Sequence, residues 1–349
     1  MASFVRRHPR LTRVLLALLF GAALDFIAGT LVLSRFDARP NGPVHRMSSA
    51  TTHHALRPLA VGKDRWGDVE IEFAVNSLGC RDVSARTVRA TADKRIVFIG
   101  DSFTEGVGVD WASSWVGRVA KALPAEVLNA AVSSYCPNIY ARRIRELLEQ
   151  GTQFHEVVVA IDISDPIDEA GRYMRDAAGN VVARPVAAWG GGVKGFFYRH
   201  SLAYGAVTRF RQARFAASSV GRELAAKEMR EGNLARSEWT ILGTAPEGMM
   251  LAQSYRDELA ALLKARGIAL TVVVYPWPVQ LERGDRDSMQ VRVWRDWSAK
   301  SGAHFIDLFG PFFETPDALN RFYIAGDVHW NAEGNKFVAE RFLERYMQP

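Results

Sequence analysis

Cysteine is nearly absent from this chain. Cys80 and Cys136 are its only two in 349 residues, and the sequence has no CxxC pair and no Cys/His spacing suited to zinc. A disulfide-stapled miniprotein and a zinc-ribbon module are excluded. Acidic residues are missing from the first 24 positions, where Arg6, Arg7, Arg10 and Arg13 precede or begin an apolar run. Those four arginines account for most of the formal net charge of +6, so a pI near 9.4 reflects the N-terminus and not a basic surface. The body of the chain lacks a basic stripe interleaved with aromatics, which sets nucleic-acid binding aside. Repeats are lacking too. What remains is ordinary globular composition, 48% hydrophobic and 23% charged, enough for one large domain with an appendage.

Residues 14–33 read VLLALLFGAALDFIAGTLVL, with Asp25 the only charge. As a helix this run just crosses a hydrocarbon core about 30 Å thick. Arginines crowd its N-terminal side, so the positive-inside rule puts residues 1–13 in the cytoplasm and the body outside, in the periplasm or exterior. The expected location is the cytoplasmic (inner) membrane, crossed once. A cleaved signal peptide is the rival reading, but no clear small-x-small site precedes Arg39, which favours an uncleaved anchor. An acid at mid-helix costs about 2.5–3.5 kcal/mol on insertion scales. A tolerated lone charge is the favoured account of Asp25, and a partner helix is the alternative.

Residues 34–92 read as a stalk and N-terminal extension. The first part, through residue 60, lacks periodicity and is rich in Pro, Ser, Thr and His, as expected of a stalk with no core of its own. Its His45, His53 and His54 read as solvated loop residues and not as metal ligands. The run DVEIEFAVNSLGCRD then predicts a strand and a turn. From residue 93 to the end the pattern changes. Apolar runs at 95–100, 126–132, 156–163, 268–276 and 304–309 predict buried strands, and helical periodicity appears at 111–123, 139–151, 255–267 and 335–346. This alternation predicts an α/β three-layer sandwich around a central parallel sheet, preceded by the one transmembrane helix. Residues 170–240, with a Gly-rich turn at 190–192, read as an insertion that is helical in its regular parts.

Open α/β sheets collect reactive groups beyond the carboxyl ends of their strands. After the strand at 95–100 comes Gly100-Asp101-Ser102, a serine on a strand-to-helix turn where backbone N–H groups converge. Such a serine serves as an acyl-transfer nucleophile if a histidine takes its proton and a carboxylate orients that histidine. The segment GDVHWNAEGN supplies both, in Asp327 and His329. Two positions apart in an extended segment, their side chains leave on one face. Either half alone is weak, and the structural alternative for Asp327 is a turn or N-cap residue. Asp101 suits capping the next turn as well as meeting substrate. Trp277 and Trp330, near the same sheet edge, could pack in the core or stack on a sugar ring.

These residues resemble the SGNH (GDSL-type) hydrolases over roughly residues 93–349. Gly100-Asp101-Ser102 is similar to the nucleophile block, and Asn129-Ala130-Ala131-Val132-Ser133-Ser134 to the second block, with Ala131 where a glycine normally donates its N–H to the oxyanion. Ile161-Asp162-Ile163-Ser164-Asp165 is similar to the third block, with Ser164 where an asparagine normally donates. The last block usually reads Asp-x-x-His. Here it is Asp327-Val328-His329, with Gly326 in place of the usual acid, a spacing similar to that of the alginate O-acetylation proteins. The resemblance implies Ser102 as nucleophile, His329 as base, Asp327 as orienting acid, and an oxyanion hole from Ser102, Ala131 and Ser164. No cofactor or metal is implied.

The expected function is a serine esterase acting on an acylated, in the first place acetylated, carbohydrate or small ester. An O-acetyltransferase for an exported or envelope polysaccharide, working with export or modification partners, would use the same residues. A non-catalytic carbohydrate-binding relative is the third reading. Cys80 and Cys136 both lie in segments expected near the reactive edge, and either a bridge tying the extension to the second block or two separate thiols fits the sequence.

Overall fold

The computed structural model describes residues 8–37, 45–66, 69–184, 197, 200–217 and 246–348. The chain divides into two compact units, Met1–Gly42 with Pro185–Lys227, and Pro43–Arg184 with Glu228–Pro349.

In the first unit, helix α1 (Pro9–Asp37) contains the apolar run. Residues Pro9–Val32 are long and apolar enough to cross a membrane, with a mean hydropathy of 2.2. Asp25 has a partner, contrary to the favoured sequence reading: its carboxylate accepts the backbone N–H of Ala203 at 2.9 Å. Gly29 permits the approach, because a Cβ there would lie 2.1 Å from the His200 carbonyl oxygen. Of the proposed insertion, 185–196, 198–199 and 218–240, including the Gly-rich turn at 190–192, lie outside the described residues.

The second unit is built around an eight-stranded sheet. Strands β1 (Arg46–Ser49) and β2 (His53–Leu56) pair as an antiparallel hairpin, so part of the expected stalk is folded. His45 is buried against Phe73, with ring centroids 4.1 Å apart. Next come β3 (Val61–Trp66), β4 (Val69–Val75) and β5 (Arg81–Asp82), then β6 (Arg95–Ile99). A short helix α2 (Ser102–Glu105) and α3 (Trp115–Ala122) lead to β7 (Glu126–Asn129), followed by α4 (Pro137–Glu149), β8 (Glu156–Ile161) and α5 (Asp165–Gly171). Strands β9 (Tyr173–Arg175) and β10 (Val181–Ala183) make a small separate hairpin. In the first unit α6 (Leu202–Ala217) intervenes, and the fold resumes with α7 (Pro246–Lys264) and β11 (Ala269–Val274). It closes with α8 (Pro278–Glu282), α9 (Met289–Ser301), β12 (His304–Asp307), α10 (Phe309–Glu314), α11 (Ala318–Phe322) and α12 (Ala332–Tyr346).

The main sheet runs β12-β11-β8-β6-β7-β5-β4-β3. Its five strands from β12 to β7 are parallel, and the three from the N-terminal extension are antiparallel. The expected three-layer α/β architecture is present, but the sheet is mixed and the domain begins well before residue 93. Alternation explains the layers. Val97, Ile99, Val157 and Val159 join a core with Ile144 of α4, Leu259 of α7 and Trp294 of α9. Ile96, Phe98, Val158 and Ala160 face the other core with Val116 of α3 and Phe342 of α12. The inner strands are covered on both faces, which is why they read as unbroken apolar runs.

Candidate active site

The turn that carries Ser102 is set by a glycine and an acid. A Cβ on Gly100 would lie 2.4 Å from Thr104 Oγ1 and 3.0 Å from the Ala160 carbonyl oxygen, so only glycine lets β6 turn this tightly into α2. Asp101 caps the turn by accepting the Phe103 N–H at 3.0 Å. Ser102 is therefore the first residue of a helix, where its N–H has no intrahelical acceptor. Asn129 holds the turn from β7, its side-chain amide donating to the Thr104 carbonyl at 2.7 Å.

Ser102 Oγ lies 2.8 Å from His329 Nε2, and His329 Nδ1 lies 2.6 Å from Asp327 Oδ1. The sequence-predicted trio is brought together. Because Nδ1 faces a carboxylate, it carries the ring proton, which leaves Nε2 free to accept from the serine hydroxyl. Asp327 and His329 do not sit in an extended segment. Gly326 takes a left-handed conformation, φ +76°, with the chain closed by Asp327 N–H to the Ile324 carbonyl and Ile324 N–H to the His329 carbonyl, both 2.9 Å. Asp327 Oδ1 also accepts the backbone N–H of His329 at 3.1 Å. The short spacing thus works through an Asx-type turn, and glycine occupies position 326 because the turn needs positive φ there. Burial raises the Asp327 carboxyl pKa, but the hydrogen bonds and charge of His329, with a bond from Trp66, outweigh it and bring the value to about 2.

The His329 ring is 7% exposed and lies between two aromatics, Phe103 at 4.8 Å and Trp66 at 4.9 Å between centroids. Asp101 is buried. Burial and the charges of Asp162 and Asp165 push its carboxyl well above the usual range, which favours the protonated form. Asp101 Oδ2 is 3.2 Å from Ser102 Oγ, while its other oxygen caps the turn.

Several expected roles are corrected. The Ser164 hydroxyl donates to Asp162 Oδ1 at 2.5 Å and its N–H to the same oxygen at 2.8 Å, so its one hydroxyl proton is committed away from an oxyanion. Ala131 directs its N–H onto Asn129 Oδ1 at 3.2 Å. Ser102 is the member of the expected hole whose N–H the fold leaves at a helix start. Trp277 and Trp330 are buried core residues, not sugar platforms. The Trp277 indole donates to Asp162 at 2.7 Å, and Trp330 packs edge-on to Phe103 and Tyr275. Cys80 and Cys136 are two free, buried thiols, not a bridge. Cys80 lies 3.8 Å from the Arg143 guanidinium, while Cys136 sits at the residue preceding α4, beside Glu169. Burial raises both thiol pKa values.

Sequence reasoning missed the supports. Glu105 Oε2 accepts both the N–H and the hydroxyl of Ser133 at 2.5 Å, and Arg46 of the β1 hairpin pairs with the same carboxylate at 2.7 Å. Arg81, on β5, donates to the carbonyls of Glu105, Gly106 and Val109, each at 2.6 Å. These lie far from their partners in sequence, and no local spacing marks them.

Fold and site together define a three-layer α/β protein with a serine–histidine–aspartate relay at the carboxyl end of its first parallel strand. No protein-family model matches the chain, and no curated protein does. Among solved structures it is similar to that of TesA, at 13% identity and TM-score 0.42, over 73% of this chain and 98% of that one. It is similar also to a member of the lipolytic protein G-D-S-L family from Veillonella parvula (13%, TM-score 0.40, 73% and 100%) and to the psychrotrophic esterase EstA from Pseudoalteromonas sp. (13%, TM-score 0.37, 73% and 97%).

Proposed function

We propose that this protein is an SGNH-type serine ester hydrolase, anchored by α1 in the cytoplasmic membrane with its sheet domain outside. Its substrate is an acylated, in the first place acetylated, carbohydrate or small ester, met alongside envelope polysaccharide export or modification partners. The observation that carries the reading is the unbroken contact from Asp327 through His329 to Ser102, with the imidazole tautomer set by the carboxylate.

Ser102 Oγ attacks the ester carbonyl carbon while its proton passes to His329 Nε2. The imidazolium formed is held by Asp327, which stays ionised. The tetrahedral oxyanion forms beside the helix-start N–H of Ser102. Collapse expels the alcohol, which takes the proton from Nε2 and leaves Ser102 acylated. Water, deprotonated by the same nitrogen, attacks the acyl carbon; the bond from that carbon to Ser102 Oγ then breaks, Oγ takes the proton back from Nε2, and the acid leaves.

The full-length chain in detergent, mixed with an activated acetyl ester, is expected to release a burst of leaving group and to carry acetyl on the Ser102 peptide by mass spectrometry. A wild type no faster than Ser102→Ala overturns the proposal. Acetylated sugar in place of free acetate, on adding sugar oligomers, would reassign it as an O-acetyltransferase. A C-terminal reporter active only outside the cytoplasm checks orientation; a silent but stable fusion rejects it.

A further inference from the structure

Asp327 spends one oxygen entirely on its own turn. Oδ1 takes the ring N–H and the backbone N–H of His329, and a carboxylate held on one side only is free to swing about its last torsion. The other oxygen is claimed from far away. Trp66 Nε1–H donates to Asp327 Oδ2 at 2.6 Å, across 261 residues of sequence. The same indole meets the His329 ring edge-on, with centroids 4.9 Å apart and planes at 80°. One rigid side chain therefore touches both the acid and the base.

Its backbone is fixed as well. Trp66 ends β3, the outermost strand of the main sheet, paired with Val69 in the antiparallel ladder to β4. On the other side Gly108, φ +76°, presents no side chain, and a Cβ there would lie 3.6 Å from Trp66 Cδ1 and 3.0 Å from Ile324. The strand, the glycine and the carboxylate place the indole together.

We infer that Trp66 is a positioning residue for the relay: its N–H locks the Asp327 carboxylate toward His329, and its ring shields the imidazole from water. The N-terminal extension is then part of the active site, and residues 93–349 alone would hold Ser102, His329 and Asp327 without the donor that orients the acid. This inference rests on the hydrolase reading for its kinetic consequence, but the hydrogen bond itself can be read without turnover.

The test compares Trp66→Phe with Trp297→Phe in the full-length chain. Trp297 donates its indole N–H to Asp257 at 2.7 Å, so it loses the same kind of bond away from the site. Trp66→Phe is expected to lower kcat about tenfold, the loss of a hydrogen bond to a charged group, with KM unchanged, while Trp297→Phe keeps kcat. In an Asp327→Asn background, Trp66→Phe is expected to cost little more, because residues acting as a unit are non-additive. The proton NMR signal of His329 Nδ1–H, far downfield beside a carboxylate, should move in Trp66→Phe and stay put in Trp297→Phe. An unmoved signal overturns the inference even if the chain proves not to be a hydrolase. So does a kcat loss of equal size in the Asp327→Asn background. Failure of the hydrolase reading shows separately, as wild-type turnover no greater than that of Ser102→Ala.

Discussion

Ser102 Oγ and His329 Nε2 stand 2.8 Å apart although 227 residues separate them in the chain. In the proposed mechanism Ser102 and His329 act as one unit and so fail together. Ser102→Ala, His329→Ala and the double variant are expected to lose activity on an activated acetyl ester to about the same floor, at least 1,000-fold below wild type. Steady-state rates of the three variants check this, and a double variant far below either single one would contradict it.

Asp327→Asn is expected to lower kcat by about 10³–10⁴ with the fold intact, because an amide no longer fixes the ring tautomer. Its effect on stability has a defined sign. The fold lowers this carboxyl from its ordinary 3.8 to about 2, so its contribution is present above pH 3.8 and is lost as pH falls toward 2. Denaturant midpoints at pH 5 and pH 2.5 should fall further in wild type than in Asp327→Asn.

Asp101 behaves in the opposite sense. Burial and two acidic neighbours raise its pKa, so wild-type stability carries a cost that grows as pH rises above the ordinary carboxylate range. Asp101→Asn, which can still cap Phe103 through its side-chain oxygen, is expected to raise the thermal midpoint at pH 8 and to leave it unchanged below pH 4.

His54 is half-buried, with Nε2 2.9 Å from the Ser133 carbonyl oxygen, and the loss of water around it lowers its pKa from 6.5 to about 4. Because the unfolded chain binds a proton that the folded chain refuses, stability is full above pH 6.5 and declines, with a slope of about one proton, as pH falls toward 4. His54→Asn should flatten that slope in urea titrations run between pH 7 and 4.

Cys80 and Cys136 are buried thiols with raised pKa values. Neither should react with a thiol reagent at pH 8 until denaturant is added, and a reductant should leave the thermal midpoint unchanged. Non-reducing peptide mapping that returned a Cys80–Cys136 crosslink would contradict the structure.

Much of the fold is legible from local pattern. The inner parallel strands are doubly covered, so each reads as an apolar run, and the helices beside them carry a clear 3.6-residue periodicity. The N-terminal extension is harder to read. Strands β1 and β2 are four residues long, rich in Ser and His, and take their stability from partners distant in sequence. Short polar strands of that kind carry no period. Ser164 shows another limit: its residue type suits an oxyanion donor, yet Asp162, two residues before it, captures both of its donors.

The sequence by itself determined the apolar N-terminal helix, the parallel α/β core and the identity of Ser102, Asp327 and His329, because periodicity and the turn chemistry of glycine act over a few residues. Tertiary structure alone decided what surrounds that trio. Trp66 on Asp327, Arg46 on Glu105, the burial of Trp277 and Trp330 and the separation of the two cysteines depend on which strand lies beside which. Strand order is set by the packing of the whole sheet, and contacts between chain ends leave no mark on the spacing of either end.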